Sequence, residues 1–245
     1  MHTPADQLAL LAARVASLRS AYRTGDKPDG ELADLAAALD RDLLGWSENT
    51  LAEGSVCSYY DVTDLDSPHA WSGTRHEYGI PQAHRWWNMY RVLRILVSRL
   101  QEAVWRRSWP TLPRPPPDPE QYRNTRVRMT SDICIAAAYA FGSDNSVEPP
   151  RDSVSSGCLL IMPLSLAGSC LLEQIAEPIL TPGGSRTILI DQPLHTNPLN
   201  QTSTQLAWII ERVDYIAQKI GIKWACPVSR FLKGECKVYY DLGRS

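Results

Sequence analysis

The sequence predicts an all-α fold: a single helical domain over 1–245, of about six or seven helices with long irregular loops. Two observations carry that prediction. In several separate segments apolar residues recur at steps of three and four, the repeat of one helix face. Strong two-residue alternation, the mark of a half-buried strand, appears nowhere.

The first helix is read from Leu8, Leu11, Val15, Leu18 and Tyr22, and "RTGDKPDG" breaks it. The second is read from Leu32, Leu35, Leu39, Leu43 and Trp46. Two such helices joined by a short turn are expected to pack antiparallel. Residues 47–80 are rich in Ser, Gly, Asp and aromatics and lack periodicity. They predict an ordered aromatic loop pinned by Trp46, Tyr59, Tyr60, Trp71 and Tyr78.

Pro81 suits the first turn of a third helix over 81–109. Its stripe is Trp86, Tyr90, Leu93, Val97, Leu100 and Val104, widened by Met89, Val92 and Leu96, so it is expected to be central. Residues 110–119 hold six prolines in ten positions, predicting a stiff connector within the domain. A fourth helix is expected over 120–141 and a fifth over 156–176, starting or kinking near Pro163. An irregular stretch follows, with a short extended piece at Thr187–Ile190. The last helix is read from Leu206, Ile209, Val213, Ile216 and Ile220, with Thr202 and Gln205 as its capping box and Gly221 as its stop.

Composition narrows function. The formal charge is -2, which argues against binding nucleic acid by bulk electrostatics. The six cysteines contain no CxxC half-site and read as reduced, mostly buried thiols. The acid and arginines of "MHTPADQLALLAARVASLRS" do not suit a signal peptide, so an intracellular protein is expected. The longest apolar run, Cys158–Leu172, is too short to span a bilayer and contains Pro163, so no membrane span is expected.

A search for chemistry returns little. "PLSLAG" lacks the first glycine of a nucleophile turn, and Ser165 reads as a core hydroxyl. His76 and His84 stand eight apart across a proline, unlike HExxH, and no metal is expected. Asp61, Asp64 and Asp66 lack the glycine and terminal glutamate of a calcium loop and read as a solvated acidic loop. "TPGGSR" reads as a turn rather than a phosphate loop. No catalytic residue and no cofactor is expected. Arg106, Arg107, Arg123, Arg126 and Arg128 form a candidate anion-contacting patch, more simply read as the wet faces of two helices.

The stretch "AHRWWNMYRVLRILVSRL" places Trp87, Arg91 and Arg94 on one helix face beside Asn88. The tryptophans are expected to fill the core and the arginine stems to line its edge. "WWNMYRVLRILVSRL" resembles a helix in the C-terminal regulatory region of fungal zinc binuclear cluster transcription factors. The order of "LLGW", "HEYG", "RMTSDICIAAAYAFG", "G..LIMPLSLAG" and "IIERVDYIAQKIGIKWA" is similar to that family over about residues 30–230. The resemblance implies a structural and regulatory signature of Trp87, Asn88, Arg91, Arg94, Asp132, Pro163, Leu164, Gly221 and Ile222. These residues are expected to organise the fold around Asp132 and Pro163, with Asp132 paired to Arg91 or Arg94.

The family's zinc cluster has no counterpart in this chain, so zinc binding and direct sequence-specific DNA reading are not implied. The expectation is a nuclear regulatory domain, not an enzyme. It would control transcription through contacts with the transcription machinery or a DNA-binding co-regulator, and such regulators often neighbour secondary-metabolite gene clusters. Two alternatives remain open: a helical enzyme or small-molecule-binding protein with 47–80 as a lid, and a scaffold whose Pro-rich connector docks on an SH3-like or WW-like module.

Overall fold

A computed structural model describes residues 3–52, 55–108, 119–142, 153–176 and 198–236. Among them lie seven helices and one two-stranded sheet, so the fold is essentially all-α. The elements group into two compact units, where the sequence reading expects one domain. The first holds α1 (Pro4–Thr24), α2 (Asp29–Leu51), β1 (Tyr59–Thr63), β2 (Thr74–Tyr78), α3 (Pro81–Ser108) and α4 (Pro119–Phe141). The second holds α5 (Ser153–Ala176), α6 (Pro198–Gln218) and α7 (Ala225–Leu232).

Local chemistry explains α1. Pro4 sits at its first turn. The Thr3 side chain accepts from the Asp6 amide at 3.2 Å, and the Asp6 carboxylate accepts from the Thr3 amide at 3.0 Å. This reciprocal pair satisfies donors that helix starts leave open. Gly25, at φ 73°, closes the other end in a left-handed conformation that other residues adopt only with strain. Leu8, Leu11, Val15 and Leu18 are buried, as the spacing predicts.

In α2 the buried face is Leu32, Ala36, Leu39, Leu43 and Trp46, while Leu35 is exposed. The small Ala36 takes the position assigned to Leu35. In α3 Trp87 is the buried tryptophan, Trp86 is half-buried and Met89 is exposed.

The expected loop over 47–80 is largely ordered backbone. Its first residues continue α2 to Leu51. Tyr59–Thr63 and Thr74–Tyr78 form an antiparallel hairpin in which Tyr59 faces Tyr78 and Asp61 faces His76. The hairpin packs on α4 and α3. Tyr60 points to solvent, so it is no anchor. The predicted connector over 110–118 and the extended piece at Thr187–Ile190 lie outside the described residues.

In the second unit α6 begins at Pro198, which puts Thr202 and Gln205 inside the helix and not at its cap. Gly221 ends the turn after α6 at φ 85°. Helix α5 runs through Pro163, whose missing N–H leaves the carbonyl four residues back without its helical donor. The helix is longer than the apolar run within it: Val154–Ala176 is long and apolar enough to cross a membrane, and 56% of it is buried. Length alone therefore does not exclude a span, though a mostly buried apolar helix is also what a protein core needs.

Glycines let the second unit close. A Cβ on Gly168 would stand 2.6 Å from Leu232 Cδ2, and one on Gly157 would stand 3.0 Å from Ile222 Cδ1. Gly45 on α2 has open space instead. Gly168→Val should therefore destabilise by about 1–3 kcal/mol through overpacking against buried Leu232. Gly45→Ala should stabilise by about 0.5–1 kcal/mol through helix propensity alone. Urea unfolding of the two variants checks both signs.

Candidate functional site

Helix α3 brings the signature residues to the centre of the first unit. Trp87 is 1% exposed, and its indole N–H donates to the Cys57 carbonyl at 2.8 Å. Its ring meets Trp46 edge-on at 5.1 Å and Tyr59 at 4.8 Å. One turn on, Arg91 is also 1% exposed. The expectation that arginine stems line the edge of the core fails here, because the whole guanidinium lies inside.

A buried charge must find partners. Arg91 Nη1 donates to the Tyr78 hydroxyl at 3.2 Å and to Asn88 Oδ1 at 3.1 Å, and Nη2 lies 3.0 Å from His76 Nδ1. The Tyr59 ring lies 5.1 Å from the guanidinium carbon and the Trp87 ring 6.0 Å, within cation–π range. Burial opposes the Arg91 charge; Tyr78, Tyr59 and the Asp132 carboxylate favour it and raise its pKa on balance.

Because guanidinium only donates, the surrounding protons are fixed by elimination. His76 Nδ1 must accept from Arg91, so the His76 proton sits on Nε2 and points at Asp61 Oδ1, 3.2 Å away. Asn88 spends its oxygen on Arg91, so its amide nitrogen donates to His84 Nε2 at 2.9 Å. The His84 proton is then on Nδ1, and His84 is bonded to the Ala136 backbone of α4. One buried cation thus orients two histidines, an amide and a tyrosine.

Both rings are held neutral. Burial, then the charge of Arg91, then the neighbouring His84 ring as it protonates, push the His76 pKa down to about 2. Burial, then Arg91, push His84 down to about 3, against the Ala136 contact.

Comparison with protein-family models, curated proteins and solved structures gave no match. Roles for these residues accordingly rest on geometry alone. Trp87, Asn88 and Arg91 belong to one buried network. Arg94 belongs to a neighbouring one, and its predicted partner is corrected. Its Nε lies 3.1 Å from Asp40 Oδ1 on α2, and its Nη1 donates to the Tyr90 hydroxyl at 3.1 Å. Asp132 makes no ion pair within 4.0 Å with either arginine; it feels Arg91 and Arg128 only at longer range, and burial raises its pKa. Pro163, Leu164, Gly221 and Ile222 belong to the second unit, where Pro163, Leu164 and Ile222 are buried.

The basic patch does not hold together as a free surface. Arg106 and Arg126 share Glu102, each at 2.6 Å, and Arg126 is buried. Arg107 is paired with Asp29 and lies 4.3 Å from the Tyr22 ring. Arg123 and Arg128 are exposed.

Among the described residues no group of three His, Cys, Asp or Glu is placed to hold a metal ion. Asp64 lies 3.4 Å from Arg75 instead, which makes the acidic loop partly self-compensated. The Arg91 network directs its polar atoms at one another, an arrangement suited to holding shape. Sequence reading missed His76, Tyr78 and His84 as its members. The available signal was the two-residue spacing of His76 and Tyr78, which puts them on one face of a strand.

Two predictions follow from this geometry. Asp40→Asn should destabilise more than Asp132→Asn, because only Asp40 stands within ion-pair distance of a buried arginine; chemical denaturation separates them, and the reverse order would restore Asp132 as the key carboxylate.

The second concerns pH. Both histidines are depressed in the folded state below their ordinary 6.5, so unfolding takes up protons in acid. Their contribution is complete above about pH 6.5 and falls as pH drops. Between pH 7.5 and 5.5 the loss is about 1.4 kcal/mol for each ring. Asp40 and Asp132, whose pKa values are raised, pull the opposite way. NMR of the ring protons isolates the histidines: neither should titrate between pH 7.5 and 5, and one titrating near 6.5 would refute the assignment.

Proposed function

We propose that this chain is a regulatory and interaction domain of a fungal transcription factor, acting in the nucleus through protein contacts and not through its own DNA reader. The observation that carries the reading is the place of the Trp87–Asn88–Arg91 motif. The residues with the strongest resemblance to that family's regulatory region lie together at the heart of a helical unit. That is where a fold-defining signature belongs. The all-helical architecture agrees with what the resemblance implies. Partners would be the transcription machinery or a DNA-binding co-regulator. A link to a secondary-metabolite gene cluster rests on the resemblance alone.

The alternative, an enzyme or small-molecule binder with 47–80 as its lid, has less support. A lid must leave its site, and this hairpin is sewn into the core by His76 and Tyr78, which are 2% and 6% exposed. Opening it would strand the Arg91 charge. The scaffold reading depends on 110–119, of which 110–118 lie outside the described residues.

The direct test fuses the chain to a heterologous DNA-binding domain upstream of a reporter. The expected result is a severalfold change in transcription, up or down, that is lost on Arg91→Ala together with a folded circular-dichroism signal. Transcription equal to that of the DNA-binding domain alone, from a fusion that is folded and nuclear, would overturn the proposal.

A further inference from the structure

The hairpin of the first unit is open along one side. Its sheet has two strands, and β2 is the one packed on α4 and α3, so the outer edge of β1 has no neighbouring strand among the described residues. The register fixes which groups lie on that edge. In an antiparallel pair every second residue spends both its N–H and its C=O on the partner strand, and the residues between turn theirs away. The Asp64 amide donates to the Gly73 carbonyl at 2.8 Å and the Gly79 amide to the Ser58 carbonyl at 3.2 Å, both in register with the pairs from Tyr59–Tyr78 to Thr63–Thr74. Tyr60 and Val62 therefore bond to β2. Tyr59, Asp61 and Thr63 turn their N–H and C=O groups outward, and among the described residues no other backbone group bonds to them.

Side chains beside the edge decide what can pair there, because neighbouring strands touch through side chains on one face. On the face turned from the core lie Tyr60, which is exposed, and Val62, which is half-buried. On the other face the Asp61 side chain is 69% exposed. Its Oδ1 accepts from His76 Nε2 at 3.2 Å, but His76 is neutral, so the carboxylate keeps its charge. Residues 59–78 hold Asp61, Asp64, Asp66 and Glu77 against one arginine, Arg75. Arg75 lies 3.4 Å from Asp64 and 3.5 Å from Glu77, so Asp61 has no cation of its own in the hairpin.

That charge chooses between occupants. An antiparallel pair of two β1 strands would set Asp61, the middle residue, against its own copy, and like charges directly opposite destabilise a sheet. The carboxylate thus guards the edge against self-pairing. To a Lys or Arg at the same place it offers an ion pair. The residues on either side would then cover Tyr60 and Val62, which favours an extended segment reading apolar–basic–apolar.

We propose that the outer edge of β1 receives an extended segment of a partner protein, with Lys or Arg opposite Asp61 and β-branched or aromatic residues opposite Tyr60 and Val62. The edge does not depend on a transcriptional role, and failure of the reporter test would leave it standing.

The test uses the full chain and two peptides at low ionic strength, acetyl-Thr-Val-Lys-Val-Thr-amide and the same peptide with Glu for Lys. Amide exchange is followed by NMR and binding by titration. Without peptide, the Asp61 and Thr63 amides should exchange at least about tenfold faster than those of Tyr60 and Val62. The lysine peptide should bind saturably, at least about fivefold more tightly than the glutamate peptide, and slow exchange at Asp61 and Thr63. Thr63→Pro removes an outward N–H and no bond to β2, so it should abolish binding with the fold retained. Asp61→Asn keeps an oxygen for His76 and should weaken the lysine peptide about threefold; it serves as well if the proline disturbs the strand. Absence of saturable binding by the lysine peptide overturns the proposal. So do equal affinity for the two peptides and undiminished binding in Asp61→Asn. Asp61 and Thr63 amides already protected without peptide would mean an edge paired within the chain or between copies, and would overturn it too.

Discussion

The first unit depends on the burial of one guanidinium. Arg91 lies inside the protein with no carboxylate in contact among the described residues, so neutral acceptors and aromatic faces hold its charge. Those partners come from different elements. Asn88 is on the same helix, His76 and Tyr78 are on β2, and Tyr59 is on β1. No local preference makes a five-residue hairpin stable in water. This hairpin persists because its inward side chains complete the shell around a charge that cannot be left alone.

The constraint spreads through atoms that have only one way to bond. Arg91 fixes which nitrogen of His76 carries a proton, and His76 then turns toward Asp61 at the surface. The spent oxygen of Asn88 fixes His84, which reaches the α4 backbone. Indole donors play the same part elsewhere: Trp87 holds the chain just before the hairpin at Cys57, and Trp46 holds the start of α1 at Pro4, each at 2.8 Å. Ion pairs then tie helix to helix, Arg94 to Asp40 across α3 and α2, and Arg126 to Glu102 across α4 and α3.

What could be read from the sequence follows the range of the forces. The faces of α1 and α6 were legible because burial writes itself as a repeat of three and four. The stop at Gly221 was legible because a left-handed residue needs glycine. The face of α2 was read one residue off, since alanine carries little hydrophobic signal and Ala36 hides beside Leu35. The hairpin left no apolar alternation because two of its inward residues, His76 and Tyr78, are polar groups buried for Arg91. Their burial makes sense only once the arginine is known to be inside. Asp40 was not recognised as the partner of Arg94 for a similar reason. The contact joins different helices, and nothing near either residue announces it. Asp132 looked plausible because a helix carboxylate in a resembling segment is a natural partner, yet proximity of motifs does not give contact.

A motif that satisfies itself has little left to offer a partner. The polar atoms of Asn88, Arg91, His76 and His84 are turned toward one another and buried, so contacts with other molecules must be made elsewhere. That separates two kinds of arginine in one unit. Arg91 and Arg94 are buried with designated acceptors, and their removal should be felt as lost stability. Arg123 and Arg128 stand exposed on α4, and their removal should leave the fold almost untouched. The same side chain thus serves architecture where it is buried among acceptors, and matters little to the fold where it stays in water.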